Sequence, residues 1–401
     1  MGGCRYPAAS WKERPGRSSP TLMKVTMKGS KGQDSRGAGS PRGAGSAAVV
    51  EDEVPFEGTG DWQGRRVLVT GGAGFIGSHL VQKLLEAGAQ VTVLDDLSTG
   101  QLSNLTELLG RPGLTLREGS ILDPALLGEC FLGVDVVFHM AAVVGVGLVL
   151  EQPVRTLDVN VEGTRNVLRA ATEASAGVLL ASSSEVYGCA AEPPFREDDH
   201  LLFGATSEPR WSYAASKAIG EWEAFARARE DGLSATVVRL FNTVGPRQRG
   251  AYGMVLPRFV KAALAGEPLM VFGDGRQTRS FCHVFDVVRA LMALGARLAA
   301  ASQGAGGRGS RSQIPTRVYN IGGDREVTIE ALARLVRRLA DSRSEIVHMP
   351  YREAYGVHFQ DLRRRRPDVS RLAEELGWRP TRDLVHTVRD LLECAREPAR
   401  Q

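Results

Sequence analysis

The sequence predicts an α/β fold: a doubly wound parallel sheet with a smaller carboxy-terminal substrate-binding lobe. Between Arg65 and Arg239, short apolar runs alternate with amphipathic stretches of helix length, as expected of strands buried on both faces by crossover helices. A glycine-rich turn joins the first run to the first helix. A third observation is the run Ala181-Ser182-Ser183-Ser184-Glu185-Val186-Tyr187-Gly188, which follows apolar Val178-Leu179-Leu180. Hydroxyls and a carboxylate at the end of a buried strand have no packing use. The carboxyl edge of a parallel sheet is where open α/β proteins bind ligands.

Taken in order, residues 1–60 are rich in Gly, Ser, Pro, Arg and Lys without apolar periodicity, which predicts a disordered basic tail. Val67-Leu68-Val69 is the first strand, and residues 75–87 form a helix that stops at Gly88. Strands follow at 91–94, 114–116, 134–138, 178–181 and 235–239, with helices at 160–174 and 212–229. The apolar stretch 134–150 carries Asp135 and His139 and is shorter than the roughly 20 residues of a spanning helix; it reads as a buried strand plus loop. Residues 61–240 are therefore expected to form a nucleotide-binding domain that carries the catalytic residues. Residues 241–401 are expected to form mainly the lobe, with some segments returning to the sheet. Helices are expected at 255–264, from Phe285, and at 328–339, 369–376 and 384–394, strands at 269–272 and 318–321, and a flexible Gly/Ala/Ser/Arg-rich loop over 299–313.

The composition is that of a soluble globular chain: 401 residues, 43% hydrophobic, 24% charged, net charge +4. Much of the positive excess lies in the first fifty residues, so the folded part offers no nucleic-acid footprint. The cysteines, at 4, 130, 189, 282 and 394, include no Cys-x-x-Cys pair and no His at ligand spacing. Reduced thiols, a cytoplasmic protein, no metal site and no membrane span are expected.

Gly71-Gly72-Ala73-Gly74-Phe75-Ile76-Gly77 follows a strand and opens a helix. Glycines there permit a tight turn and close backbone approach, so a pyrophosphate can sit on the helix N-terminus. Asp95 ends the second strand, roughly 20 residues on, where a carboxylate accepts the adenosine ribose hydroxyls and repels a 2′-phosphate. Asp96 can share that role. The turn thus predicts a Rossmann-type site for NAD rather than NADP.

Tyr213 and Lys217 stand four apart on one helix face. An adjacent ammonium favours the phenolate of a tyrosine that is otherwise a poor base at neutral pH. Tyr213 can then take a hydroxyl proton while hydride leaves to NAD, with Ser183 holding the same hydroxyl.

These residues resemble the extended short-chain dehydrogenase/reductases that remodel nucleotide sugars, the NAD-dependent epimerase/dehydratase family. The resemblance covers 65–389 and rests on Gly71 to Gly77, His139-Met140-Ala141-Ala142, Asn160-Val161-Glu162-Gly163-Thr164, the Ser183/Tyr213/Lys217 triad, Arg239-Leu240-Phe241-Asn242-Thr243-Val244-Gly245-Pro246-Arg247 and Gly273-Asp274-Gly275-Arg276-Gln277-Thr278-Arg279. It implies that the cofactor meets Gly71, Gly74, Phe75, Ile76, Gly77, Asp95, Ser120, Ile121, Ala141, Asn160, Tyr213 and Lys217, and that Asn160 supports the active-site geometry. Many relatives have an Asp where this chain has Ser120. It further implies that Ser184, Asn242, Arg249, Arg279 and Arg364 meet a nucleotide-sugar substrate, probed by the planar fork that Arg offers phosphate.

Members share oxidation at sugar C4 to a 4-keto intermediate. The 4,6-dehydratases resemble Thr-Asp-Glu before Val-Tyr-Gly; Ser184 replaces that Asp here and is a poor acid. UDP-glucuronate decarboxylases resemble Thr-Ser-Glu-Val-Tyr-Gly, close to Ser183-Ser184-Glu185-Val186-Tyr187-Gly188, and are also similar at Pro153-Val154-Arg155-Thr156, at Gln277-Thr278-Arg279-Ser280-Phe281 and at Arg364-Arg365-Arg366-Pro367-Asp368. The resemblance therefore implies a UDP-glucuronate decarboxylase-like enzyme giving UDP-xylose or a 4-keto pentose, with Glu185 managing a proton near C5. The apolar loop Val143-Val144-Gly145-Val146-Gly147-Leu148 lacks polar help for a carboxylate, which keeps a UDP-sugar 4-epimerase as the alternative. A non-catalytic NAD-binding scaffold is the remote one. By analogy a homodimer is expected, with helices 160–174 and 212–229 as the candidate interface.

Overall fold

The computed structural model describes residues 59–189, 192–249, 254–303, 316–351, 353 and 362–396. The tail expected over 1–60 falls almost wholly outside these residues, as does the loop expected over 299–313 from residue 304 onward.

Seven strands make one parallel sheet: β1 (Arg66–Thr70), β2 (Gln90–Asp95), β3 (Leu114–Glu118), β4 (Val136–His139), β5 (Gly177–Ser183), β6 (Ala235–Leu240) and β11 (Arg317–Ile321), in the order β11-β6-β5-β4-β1-β2-β3. Successive side chains of a strand point to opposite faces, and the apolar runs divide accordingly. Val67 and Val69, Val136 and Phe138, and Leu179 enter one core. Leu68, Val137, Val178 and Leu180 enter the other. A strand buried on both sides has no polar face to show, which is why these segments read as unbroken apolar runs.

Helices cover both faces. The first core packs against α1 (Phe75–Glu86) and α8 (Val284–Gln303). The second packs against α2 (Pro124–Cys130), α5 (Thr164–Ala174) and α6 (Arg210–Glu230). Helix α6 turns small or buried residues, Ala214, Ala218, Gly220 and Ala224, inward and so lies close to its neighbours. Helix α8 continues to Gln303, so the first residues of the stretch expected as a loop from 299 are helical. The 134–150 stretch also differs from expectation. After β4 it forms a connection and then α3 (Val146–Glu151), followed by α4 (Pro153–Leu157). Apolar composition alone does not separate a buried strand from a short buried helix.

A third core builds the lobe from α7 (Val255–Ala265), the parallel pair β8 (Leu269–Phe272) and β13 (Ile346–Met349), α9 (Ile329–Leu339) and α11 (Leu384–Arg396). Short pairs β7 (Thr243–Val244) with β10 (Cys282–His283), and β9 (Thr278–Ser280) with β12 (Glu326–Thr328), stitch it together. Helix α10 (Ser370–Leu376) lies against β11. Because β1 neighbours both β2 and β4, the crossover direction reverses there, and ligands of open α/β sheets bind outside the carboxyl ends at such a point.

Candidate active site

The carboxyl ends of β1, β2, β4, β5 and β6 open into a cavity of about 530 Å³ whose far wall comes from the lobe. At its β1 end the chain turns through Gly71 with φ +70, and a Cβ there would lie 2.7 Å from the Ala141 nitrogen. A Cβ at Gly77 would lie 2.2 Å from the Gly71 carbonyl oxygen. Gly74 caps α1 with no side chain to take its first N–H groups. The turn is thus bare backbone aimed into the cavity, with the positive end of a 12-residue helix behind it. Asp95 ties this turn to β2: one carboxylate oxygen accepts from the Ala73 N–H and the other from the Leu97 N–H, each at 2.9 Å. Burial pushes its carboxyl up, and the two N–H donors oppose that. Phe75, Ile76, Ser120, Ile121 and Ala141 also line this end. The residues present fit a dinucleotide: close backbone approach, free N–H groups and a carboxylate at the end of β2.

Asn160 is placed differently from the cofactor contact expected of it. It is 1% exposed and lies off the cavity. Its side-chain oxygen accepts from the Val143 N–H at 2.8 Å, and its amide nitrogen donates to the Val143 carbonyl at 3.0 Å and to the Ser216 hydroxyl at 3.3 Å. It sits in a π-helical turn, Asp158–Gly163, that leads into α5. Asn160 therefore holds the loop after β4 against the catalytic helix.

At the β5 end, Ser183 closes the strand and its hydroxyl accepts from the Glu185 N–H at 3.2 Å as the chain enters a tight 3-10 turn, Ser184–Tyr187. Tyr213 and Lys217 project from α6 into the same space. Burial raises the Tyr213 phenol well above its ordinary range; a hydrogen bond with Ser183 opposes this, the Glu185 charge adds to it and Arg365 counters it. Burial draws Lys217 down to about 8, opposed by Glu221. The Lys217 ammonium donates to the Ala181 carbonyl at 3.1 Å. Under the sheet end, His139 is enclosed between the hydroxyls of Thr70 at 2.8 Å and Thr164 at 3.0 Å. Burial, with Lys217 adding to it, lowers its imidazole to about 3.

Glu185 faces two guanidiniums. Arg365 donates to it at 2.5 Å, and Arg210, one turn before Tyr213 on α6, stands 3.7 Å away. Of the four consecutive arginines Arg363, Arg364, Arg365 and Arg366, Arg365 lines the cavity and Arg364 does not. Neighbours in an extended segment point to opposite sides; Arg364 and Arg366 both turn to Glu326, at 2.6 and 3.8 Å, leaving Arg365 to face inward. The place on the cavity wall expected of Arg364 is thus taken by Arg365. Asn242, Arg249, Arg279 and Ser184 do line the cavity. Asn242 has φ 21 and donates to the Ser280 carbonyl at 2.9 Å, while Arg279 donates to the carbonyls of Thr278 and Leu362 at 2.7 and 2.9 Å. Sequence reasoning missed Arg210; its position at i−3 from Tyr213, hence on the same helix face, was the available signal. Among the described residues no group of His, Cys, Asp and Glu is placed to hold a metal ion, and no helix is long and apolar enough to cross a membrane.

Residues 67–322 match the NAD dependent epimerase/dehydratase family. The chain belongs to that family. A UDP-N-acetyl-alpha-D-glucosaminuronate decarboxylase of Bacillus cytotoxicus is 40% identical over 334 residues, 83% of this chain and 98% of that protein. The UDP-glucuronic acid decarboxylase 1 of Danio rerio is 35% identical over 318 residues, 79% of this chain and 69% of that one. Among solved structures, DesIV, a dTDP-glucose 4,6-dehydratase of Streptomyces venezuelae with NAD and TYD bound, superposes with a TM-score of 0.71 at 32% identity, covering 83% of this chain and 97% of that chain. This epimerase/dehydratase-family chain is accordingly an NAD-dependent enzyme with the Rossmann-like α/β fold of its relatives.

Proposed function

We propose that this enzyme decarboxylates a UDP-linked uronate. The observation that carries the reading is Glu185, set against Arg365 and Arg210 beside Ser183 and Tyr213. NAD, when bound on the glycine turn, supplies the hydride acceptor for sugar C4. Burial alone keeps the Tyr213 phenol protonated; the Lys217 ammonium and the nicotinamide cation of bound NAD would together offset this, so that Tyr213 as phenolate takes the C4 hydroxyl proton while Ser183 holds that oxygen. A ketone at C4 makes the C5 carboxylate a β-keto acid. As the C5–C6 bond breaks, its electron pair passes into the enolate and CO2 leaves; C5 then takes a proton, which Glu185 is placed to manage.

The loop after β4 is apolar where it lines the cavity, through Val143, Val144 and Val149, and by itself gives a carboxylate no partner. Arg210 and Arg365 supply the cations that this loop lacks, which favours decarboxylation over 4-epimerisation. Asn242, Arg249 and Arg279 are assigned to the nucleotide diphosphate. Residues 61–240 would bind NAD, with most of the later chain binding substrate.

The experiment is product analysis after mixing the enzyme with NAD and either UDP-glucuronate or its 2-acetamido counterpart. With one CO2 per turnover, a 4-keto pentose with an equivalent of NADH is expected, or a UDP-pentose where the hydride would return to C4. An inverted C4 with no carbon lost would replace the reading with epimerisation. A homodimer is part of the same proposal: Trp222 on α6 is 61% exposed beside half-exposed Phe225, and sedimentation at micromolar concentration tests it. A cytoplasmic location, checked by fractionation, is the remaining part.

A further inference from the structure

Beneath the catalytic side chains lies a second polar layer that the reaction described above does not use. Ser182 on β5 and Arg239 on β6 are register partners, and Glu221 on α6 reaches both. The Glu221 carboxylate accepts from the Ser182 hydroxyl at 2.5 Å, and takes Arg239 in a two-toothed pair, Nε at 3.0 Å and Nη2 at 2.7 Å. Glu221 is 4% exposed and Arg239 5%. Desolvating two ions is expensive, and a buried pair of this kind can often be replaced by apolar residues without loss of stability. Stability alone therefore does not account for it.

Its position does. Tyr213, Lys217 and Glu221 are spaced i, i+4, i+8 and share one face of α6, with Lys217 in the middle. The Lys217 ammonium, 6% exposed, donates to the Ala181 carbonyl. Ser182, which Glu221 grips, lies between Ala181 and Ser183, the residue hydrogen-bonded to Tyr213. Glu221 thus acts on Lys217 both along the helix and through the strand end. We propose that Glu221, clamped by Arg239, is a positioning residue for the Lys217–Tyr213 couple, holding the end of β5 in place and keeping the ammonium charged.

The groups around Lys217 support this. On its own helix are Tyr213 and Glu221; β4 contributes His139, which burial keeps neutral; β6 contributes Arg239, already matched to Glu221; and Glu185, in the turn after β5, acts on Tyr213 and is matched to Arg365. Glu221 is the carboxylate that opposes the burial of Lys217.

The proposal rests on Tyr213 being the base, so its test includes a readout that needs no turnover. The chain has seven lysines, few enough for NMR titration of protein labelled at lysine Cε, with the Lys217 signal identified by Lys217→Arg. The wild-type signal should titrate at about 8, and in Glu221→Gln at least about one pH unit lower. In the same variant kcat for sugar oxidation at pH 7 should fall at least about tenfold, while KM for the nucleotide sugar and NAD affinity stay within about twofold. If Glu221→Gln does not fold, the paired replacement Glu221→Leu with Arg239→Met removes both charges at similar volume and is read the same way. A Lys217 midpoint equal to wild type in either folded variant overturns the proposal. Wild-type protein that titrates as expected but oxidises no UDP-sugar would overturn the assignment of the base instead.

Discussion

Arg365 and Glu185, 180 residues apart in the chain, meet at 2.5 Å on the wall of the cavity. The guanidinium comes from the segment after residue 362 and the carboxylate from the turn after β5, so the pair ties the carboxy-terminal part of the cavity wall to the sheet edge. Glu185→Gln should stop release of CO2 from a UDP-uronate while oxidation at C4 persists, seen as NADH absorbance without a pentose product. Arg365→Met should lower kcat/KM for the uronate at least about 100-fold, about 2.7 kcal/mol of transition-state stabilisation. Arg364→Met, which removes only the exposed contact with Glu326, should stay within about threefold of wild type. Equal losses at 364 and 365 would contradict the inward placement of Arg365.

The glycine turn gives a second prediction. Because a methyl at position 77 meets the Gly71 carbonyl oxygen at 2.2 Å, Gly77→Ala must displace backbone. NAD affinity should fall at least about 30-fold, about 2 kcal/mol, by calorimetry. Unchanged affinity would mean that the turn does not receive the dinucleotide.

Lys217 is expected to weaken the fold it serves. Its folded value of about 8 lies below the roughly 10.4 of an unfolded lysine, so near neutral pH the buried charge costs about 3 kcal/mol. That cost is full below the folded value and disappears as pH rises towards the unfolded one. Lys217→Met should be inactive yet more stable than wild type at pH 7, with the advantage shrinking by pH 9.5 in urea titrations. A variant less stable than wild type at pH 7 would refute this.

The buried imidazoles give stability the same sign of pH dependence in a lower window. Burial first, then neighbouring cations, hold His79 and His139 at about 3, against about 6.5 unfolded. Groups with depressed folded values contribute stability that is complete above pH 6.5 and is lost as pH falls towards 3. The melting temperature should drop steadily from pH 6.5 to 4.5, and His139→Asn should flatten that slope. A slope identical to wild type would remove His139 from the account.

Most of the sheet was legible because its central strands are buried on both faces and show as apolar runs, while edge strand β3, Leu114–Glu118, showed only as an alternation of leucines with polar residues. Ser183, Tyr213 and Lys217 were legible because helix spacing and a strand end are local features. The short pairs in the lobe and α3 were not: strands of two or three residues have no period, and an apolar helical turn looks like a strand. Arg365 rather than Arg364 could not be chosen from four consecutive arginines, since the choice depends on Glu326, which binds the outward neighbours. Asn160 was legible as a polar residue of consequence. That its partner is the backbone of Val143 depends on a π-helical turn with no compositional signature.

Strand β11 enters the sheet beside β6 only after the chain has made α7 and β8 of the lobe and then α8, pairing Arg317↔Thr236 through Ile321↔Leu240. A fragment ending near residue 240 would expose β6 as an open edge, a template for aggregation. During synthesis the sheet stays incomplete until residue 321 is available, and the lobe elements lie on both sides of that strand in the chain, so sheet and lobe interleave rather than forming as separable halves.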